Sequence, residues 1–137
     1  MSFILDTNVI SAVRRSGRAP QVAAWLAGQA EAELFISVIT IGEIERGIGL
    51  QEGRNPDFAA DLRVWLDRTM TLFSDRLLPF TPEDARVWGA LSARIGHPGA
   101  DLMIAAQALA RDWTVVTGNA ADFAPTGCRI IDPFSDG

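Results

Sequence analysis

Four acidic residues lie near predicted junctions between strands, turns and helices. They are Asp6, Glu43, Asp101 and Asp122. Two carboxylates about 5 Å apart repel each other by roughly 3 kcal/mol at an effective dielectric constant of about 20, so four together need cations or retained protons. Carboxylate oxygens without histidine or cysteine partners suit Mg²⁺ or Mn²⁺. If they converge, these residues favour metal-assisted hydrolysis of a phosphate ester.

Each acid also has an ordinary structural interpretation. Asp6 could cap the helix that follows it, and Asp101 could cap a helix or interact with its dipole. Asp122 is typical of a turn, and Glu43 could complete a capping box or pair with Arg46. Taken singly, the acids do not predict an active site. Their combination at the ends of neighbouring elements favours one.

The chain offers few residues for other chemistries. His97 and Cys128 are its single histidine and its single cysteine, which argues against a typical zinc site and against a serine paired with a histidine. No glycine-rich nucleotide-binding motif occurs in the sequence. A phosphatase with an aspartate nucleophile needs a second aspartate two residues after the first and a lysine, whereas the chain has Asn8 there and no lysine.

The elements that must position the acids alternate between short strands and helices. Apolar and β-branched runs predict strands at residues 2–5, 34–39, 77–80, 113–117 and 128–131. Apolar residues at three- and four-residue steps predict the longer helices, at residues 21–29, 41–50, 58–73, 82–95 and 100–112. This alternation predicts an α/β fold with a parallel sheet covered on both faces. Ligands of such sheets bind beyond the carboxyl ends of the strands, and we expect the four acids to lie at that edge.

Capping patterns give two of the predicted helix starts. Thr40 is expected to cap the helix that carries Glu43, and Thr81 the helix that begins at Pro82. We expect residues 118–122 to form a turn. The segment at 100–112 is apolar almost all round, which predicts a helix buried on most sides.

Composition limits the kind of protein and its surroundings. The 137 residues, 48% hydrophobic with a mean hydropathy of +0.15, predict one folded domain over residues 1–137. Twelve arginines against seventeen acids give a net charge of −5, which argues against a broad basic face that coats nucleic acid. A lone cysteine fits the reducing cytoplasm, and no apolar run approaches the roughly 18 residues of a membrane span.

Four segments, in order along the chain, resemble the PIN-domain ribonucleases, in particular the VapC-type toxins of bacterial toxin–antitoxin pairs. The segments are Ile-Leu-Asp-Thr-Asn-Val-Ile-Ser at 4–11, Ser-Val-Ile-Thr-Ile-Gly-Glu-Ile-Glu-Arg-Gly at 37–47, Ala-Asp-Leu-Met-Ile-Ala-Ala at 100–106 and Thr-Gly-Asn-Ala-Ala-Asp-Phe at 117–123. Each is short, but four in the right order at suitable spacing form a specific signal. The family's acids map onto Asp6, Glu43, Asp101 and Asp122.

The resemblance implies a three-layer α/β/α sandwich with a central parallel sheet and an endoribonuclease that depends on Mg²⁺ or Mn²⁺. Asp6 and Asp101 would bind the metal directly, while Glu43 and Asp122 would complete the cluster and position the attacking water. The resemblance further implies a homodimer, an RNA substrate and an antitoxin whose C-terminal tail fills the acidic groove. Two alternatives are a catalytically silent binding module of this fold and a metal-dependent nuclease acting on DNA.

Several polar residues near the matching segments are candidates for contact with the substrate or the antitoxin. They are Asn8, Arg14, Arg15, Arg46 and Asn119, with Arg18 beside the first arginines. Arg46 could instead orient Glu43. The chain departs from the family pattern in two places, a short segment at 96–100 and Gly118, where a basic or polar residue is common. Both departures bear on the choice of substrate.

Overall fold

The computed structural model describes residues 1–135, and within them five short strands form one parallel sheet. The strands are β1 (Phe3–Leu5), β2 (Leu34–Ser37), β3 (Leu77–Leu78), β4 (Thr114–Val116) and β5 (Arg129–Ile131). Their order is β3-β2-β1-β4-β5, so the first strand of the chain is the central one. Every neighbouring pair is parallel, with Ile4 opposite Phe35 on one side and Val115 on the other.

Seven α-helices connect or follow the strands over the same residues. They are α1 (Thr7–Ala12), α2 (Pro20–Ala27), α3 (Val38–Glu52), α4 (Pro56–Leu72), α5 (Pro82–Ile95), α6 (Ala100–Arg111) and α7 (Ala120–Phe123). Single 3-10 turns lie at Glu31–Glu33 and Ala124–Thr126. None of the described helices combines the length and the apolar character needed to cross a membrane. The predicted domain end at residue 137 lies outside the described residues.

The sheet separates two apolar layers because side chains alternate along each strand. Phe3, Leu5 and Val116 pack on one face against buried residues of α1, α2, α3 and α4. Ile4 and Val115 pack on the other face against buried residues of α5, α6 and α7. Burying each large aliphatic side chain contributes about 1.5–3 kcal/mol. The three-layer α/β/α sandwich predicted from the sequence is thus confirmed.

Helix α3 begins earlier than its sequence suggests. Ser37, not Thr40, caps it, since the Ser37 hydroxyl accepts a hydrogen bond from the backbone N–H of Ile39 at 3.0 Å. The same hydroxyl donates to the Gln107 side chain at 2.6 Å, so a contact distant in sequence fixes this end. The prediction of a strand to residue 39 and a cap at Thr40 was therefore wrong. Glu43 accordingly belongs to no capping box.

Two other helix boundaries were also tested. The cap at Thr81 is confirmed at the start of α5, and Asp84 completes a capping box there. The turn predicted at 118–122 is wrong in its second half, because α7 begins at Ala120 and carries Asp122. Helix α1 ends at Ala12, and Arg14 and the arginines after it lie in the connection that follows.

Helix α6 is fixed near its C-terminal end by buried polar contacts. Arg111 forms a two-pronged ion pair with Asp84 of α5, at 2.6 and 3.1 Å. The Gln107 amide donates to the carbonyls of Leu78 and Pro79 at 3.4 and 3.0 Å. These contacts hold α6 against α5 and the end of β3, and thereby set where the opposite end of α6 presents Asp101.

Candidate active site

Asp6 lies at the carboxyl end of the central strand β1, beside its neighbour β4. It follows β1 directly, and its backbone N–H donates to the carbonyl of Val116 in β4 at 2.9 Å. Its carboxylate caps α1 through the Thr7 N–H at 2.9 Å and accepts from the Thr117 hydroxyl at 2.8 Å. Only 4% of the residue is exposed. The capping interpretation of Asp6 is therefore correct, and it leaves the carboxylate at the carboxyl end of the sheet.

Glu43 reaches the same edge from helix α3. Its Oε1 accepts a hydrogen bond from the Thr7 hydroxyl at 3.1 Å, so one threonine contacts the two acids Asp6 and Glu43. Arg46 is exposed and forms no ion pair within the described part of the chain. The predicted orienting role of Arg46 is therefore wrong, and Thr7 takes that role. Sequence reasoning missed Thr7, although it directly follows Asp6.

Asp101 and Asp122 complete the set from the other face of the sheet. Asp101 is the second residue of α6, whose N-cap residue is Gly99, and no side-chain hydrogen bond involves Asp101 among the described residues. Asp101 is half-buried and does not cap α6, but it lies in the first turn, where the helix dipole favours an acid as the ordinary interpretation expected. Asp122 lies in α7 and is exposed. We call Asp6, Glu43, Asp101 and Asp122 the acidic cluster.

The pKa of Asp6 depends on its burial, its hydrogen bonds and the charge of a second acid. Burial raises the pKa of Asp6 above its ordinary value of 3.8, and the negative charge of Asp122 adds to the rise. Hydrogen bonds from the Thr117 hydroxyl and the Thr7 backbone oppose it, since they stabilise the charged form. The balance lies above the ordinary value, so keeping this carboxylate ionised costs free energy in the folded chain.

The pKa values of the two half-buried acids, Glu43 and Asp101, are raised in the same way. Burial raises the pKa of Glu43, and the charges of Asp6 and Asp101 raise it further. Burial likewise raises the pKa of Asp101, with added contributions from Asp6 and Asp122, while His97 lowers it. The four acids thus form one set of interacting negative charges. In the salt bridges of residues 1–135, none of the four has a cationic partner.

The donor atoms of the acidic cluster suit a hard divalent cation. They are carboxylate oxygens, flanked by the hydroxyls of Thr7 and Thr117 and the amide of Asn8. These are the oxygen ligands that Mg²⁺ and Mn²⁺ prefer, and a cation would offset the mutual repulsion. Across residues 1–135, however, no three acidic, histidine or cysteine side chains converge closely enough to form a coordination shell. The donor atoms and the negative charge of the acidic cluster therefore fit a divalent cation, whereas the side chains are too far apart to form a coordination shell in this arrangement.

Asn8 and Thr117 link the two central strands beside the cluster. The Asn8 amide oxygen accepts from the N–H of Gly118 at 3.0 Å, and its nitrogen donates to Asp6 and to Thr117, both at 3.4 Å. The buried Thr117 hydroxyl also accepts from the N–H of Asn119 at 3.0 Å. Sequence reasoning missed Thr117, whose only signal is its position directly after the last buried valine of β4.

Three arginines lie in the connection after α1. Arg15 and Arg18 are exposed, and the Arg14 guanidinium lies 5.4 Å from the centre of the Phe58 ring. All three line a cavity of about 400 Å³. Asn119 is exposed in the segment between β4 and α7.

Comparisons with known proteins identify the family. The family model described as "PIN domain" matches residues 3–125. "Ribonuclease VapC14" of Mycobacterium tuberculosis is 48% identical over 67 residues, which span 49% of this chain and 65% of that protein. "Plasmid stability protein StbB" of Pseudomonas syringae pv. tomato is 34% identical over 96% of this chain and 98% of its own. "VapC ribonuclease Y4jK" of Sinorhizobium fredii is 30% identical over 96% and 97%.

The fold also matches a solved structure. The crystal structure of FitAcB from Neisseria gonorrhoeae superposes with a TM-score of 0.80 at 29% identity, covering 96% of this chain and 97% of that one. From the same organism, "Toxin FitB" is 29% identical over 98% of this chain and 99% of its own. With its three-layer fold, its four acids at one edge of the sheet and these relatives, the chain belongs to the PIN domain family and to its VapC-type members.

Proposed function

We propose that the protein is the toxin of a toxin–antitoxin pair and hydrolyses RNA phosphodiester bonds at the acidic cluster with Mg²⁺ or Mn²⁺. The observation that carries this proposal is that four acids from separate elements lie at one edge of the sheet and none forms a salt bridge among residues 1–135. Burial, and to a lesser extent the neighbouring acids, raises the pKa of Asp6, Glu43 and Asp101. Acids held together against their own repulsion are typical of functional sites, because a fold gains no stability from them. The names of the VapC relatives support RNA as the substrate.

In this proposal each acid has a distinct task. Asp6 and Asp101 would hold the metal, which when bound would polarise the phosphate and lower the pKa of a water molecule. Glu43, oriented by Thr7, would accept a hydrogen bond from the attacking water, and Asp122 would add negative charge to the site. Asp6 is held by the largest number of hydrogen bonds among the four acids, so it supplies the fixed reference point of the site.

The proposal includes partners inferred from the VapC relatives. A cognate antitoxin would bind the toxin and fill the acidic groove with its C-terminal tail, and two toxin chains would form a homodimer. We infer action in the cytoplasm, where RNA is available and the single thiol of Cys128 stays reduced.

The test is cleavage of total cellular RNA by the purified, antitoxin-free protein, with Mg²⁺, Mn²⁺ or EDTA. Asp101→Asn is the sharpest variant, because no hydrogen bond of the Asp101 side chain is lost within the described residues. Asp6→Ala is a weaker choice, since it also removes the cap of α1. Asp61→Asn on α4 is the matched control, because it makes the same change at an exposed position outside the acidic cluster.

We expect discrete cuts that need the metal, persist in Asp61→Asn and disappear in Asp101→Asn. A DNA strand of the same sequence as a mapped RNA target should remain intact. Cleavage of both strands would instead favour a nuclease that acts on DNA as well. No cutting by the folded protein at any metal concentration would favour a silent binding module.

A further inference from the structure

Gly118 and Phe134 fit together at the edge of the acidic cluster. A Cβ atom placed on Gly118 would lie 2.8 Å from both Cδ2 and Cε2 of the Phe134 ring, closer than packed carbon atoms can approach. The backbone at Gly118 does not have the positive φ that would itself require glycine. The absence of a side chain at 118 therefore makes room for the ring. This is the position where the sequence departs from the family pattern.

Hydrogen bonds hold the segment that carries Phe134. The N–H of Thr117 donates to the Ile131 carbonyl at 2.9 Å, joining β4 to the end of β5. The N–H of Phe134 donates to the Asp132 carboxylate at 2.9 Å. Pro133 between them is buried, whereas Phe134 is 36% exposed. A ring in a fixed position therefore presents part of its surface to solvent.

The ring forms one wall of the cavity of about 400 Å³ that Arg14, Arg15 and Arg18 also line. This volume lies within the roughly 300–1,000 Å³ of small-molecule sites. None of the three arginines forms a salt bridge in the described part of the chain. An aromatic surface beside guanidinium groups that lack carboxylate partners suits a nucleobase and its phosphates.

A short series of contacts connects this cavity to the acidic cluster. The Phe134 ring lies against Gly118, and the N–H of Gly118 donates to the Asn8 amide oxygen at 3.0 Å. The Asn8 amide nitrogen in turn donates to the Asp6 carboxylate. Only Gly118 and Asn8 thus separate the ring from the first acid, so the cavity adjoins the acidic cluster.

We propose that Phe134 and the three arginines form a subsite for one unpaired nucleotide of the RNA substrate, next to the scissile phosphate. The base stacks on Phe134 and the arginines bind its phosphates. This inference rests on the proposed ribonuclease function and adds the requirement for a single-stranded region. An acidic peptide would use the arginines but gain little from the ring face, so the ring favours RNA as the occupant.

The test measures binding of a fluorescein-labelled single-stranded RNA by anisotropy, with Mg²⁺ and in an Asp101→Asn background that prevents cleavage. The same strand annealed to its complement gives the second arm. Phe134→Ala should weaken single-strand binding about 10-fold and duplex binding less than 2-fold, because a paired base is not free to stack. Phe134→Trp should bind like the parent protein, and Phe134→Leu like Phe134→Ala.

Two further variants test the geometry. Gly118→Ala leaves the ring chemically intact but displaces it, so it should weaken single-strand binding about as much as Phe134→Ala. Arg15→Ala should weaken single-strand and duplex binding alike, since it removes a phosphate contact. Leu109→Ala is the control, because Leu109 is 38% exposed on α6 and lies outside this cavity.

The outcomes separate this inference from the proposed function. Wild-type protein that cleaves RNA, with a KM unchanged in Phe134→Ala, overturns the subsite and leaves the ribonuclease standing. Equal losses on single strand and duplex, or full binding by Phe134→Leu, also overturn it. If Phe134→Ala leaves RNA binding intact but weakens binding of a fluorescein-labelled poly-glutamate peptide, measured as a third arm, the cavity takes an acidic peptide and the RNA subsite is overturned. Wild-type protein that neither cleaves nor binds RNA removes the proposed function itself.

Discussion

Thr7 and Glu43 are joined by a hydrogen bond of 3.1 Å that connects helix α1 to helix α3. The backbone N–H of the same threonine donates to the Asp6 carboxylate at 2.9 Å. One residue therefore sets the relative position of two acids that come from different elements. The hydroxyl acts on Glu43 alone, so the two contacts are separable by substitution.

Thr7→Val removes the hydroxyl and keeps both the shape and the backbone cap. We expect kcat for RNA cleavage to fall about 10-fold with little change in KM, because Glu43 loses its orientation while the substrate contacts remain. Steady-state cleavage of a defined RNA measures both constants. Thr71→Val is the matched control, since the hydroxyl of Thr71 binds a carbonyl within α4. Equal effects in the two variants would show that Thr7 acts only on stability.

Asp101→Asn should stabilise the metal-free protein at neutral pH. The pKa of Asp101 is raised in the folded chain, so its ionised form destabilises the fold once the pH exceeds the ordinary value of 3.8. The gain in unfolding free energy, on the order of 1 kcal/mol or less for a half-exposed group, should be complete above the raised pKa and absent below about pH 3.8. Urea unfolding in EDTA at several pH values measures it. A variant less stable at pH 7 would contradict the repulsion.

Mn²⁺ should reverse that order of stability. A ligand at one hundred times its dissociation constant stabilises the folded state by about 2.7 kcal/mol, and wild-type protein should therefore gain several degrees in Tm. Asp101→Asn should gain much less, because a proposed ligand is missing. Thermal unfolding over a Mn²⁺ titration, with Asp61→Asn as the control, tests this. Equal shifts in all three proteins would place the ion elsewhere.

Arg111→Met should destabilise the fold by about 3–5 kcal/mol, since it leaves the buried Asp84 carboxylate without its cation. The exposed pair of Arg129 and Asp112 provides the contrast, and Arg129→Met should cost about 1 kcal/mol or less. Chemical denaturation of both variants at pH 7 measures the difference. Similar losses would mean that burial does not distinguish the two ion pairs.

The Asp84 carboxyl also gives a pH dependence opposite in sign to that of Asp101. Burial alone would raise the pKa of Asp84, but the hydrogen bonds from Arg111 and Thr81 lower it below the ordinary value of 3.8. Its contribution to stability is therefore present above about pH 3.8 and is lost as the pH falls through the lowered pKa. The stability lost in Asp84→Asn should shrink over that acidic range. Acid titration of unfolding free energies for both proteins measures it.

Much of this architecture is predictable because period and capping act locally. Alternating side chains and three- and four-residue steps identified strands and helices, and the Thr81 cap was found because its partner is three residues away. The start of α3 was predicted wrongly because the hydroxyl of Ser37 is fixed by Gln107, seventy positions later in the chain. Local β-branched character gives no information about that contact.

The candidate site divides in the same way. Its acids were identified from their positions near the ends of predicted elements, and their catalytic roles stay predictions. The residues that orient the acids, Thr7 and Thr117, gave no signal of their own, because each acts through a partner brought near only by the folded sheet. The predicted role of Arg46 in orienting Glu43 was wrong because the orienting contact comes from Thr7, which only the folded chain brings near Glu43. The contact between the Phe134 ring and Gly118 likewise depends on the pairing of β4 with β5.

The central place of β1 has a consequence for how the protein is made. Phe3–Leu5 is synthesised more than a hundred residues before its second partner strand, Thr114–Val116. A nascent chain that stops before β4 has neither a complete sheet nor Asp122, and one that stops before α6 also lacks Asp101. A chain that ends before α6 therefore cannot assemble the acidic cluster, whatever strands it has already formed.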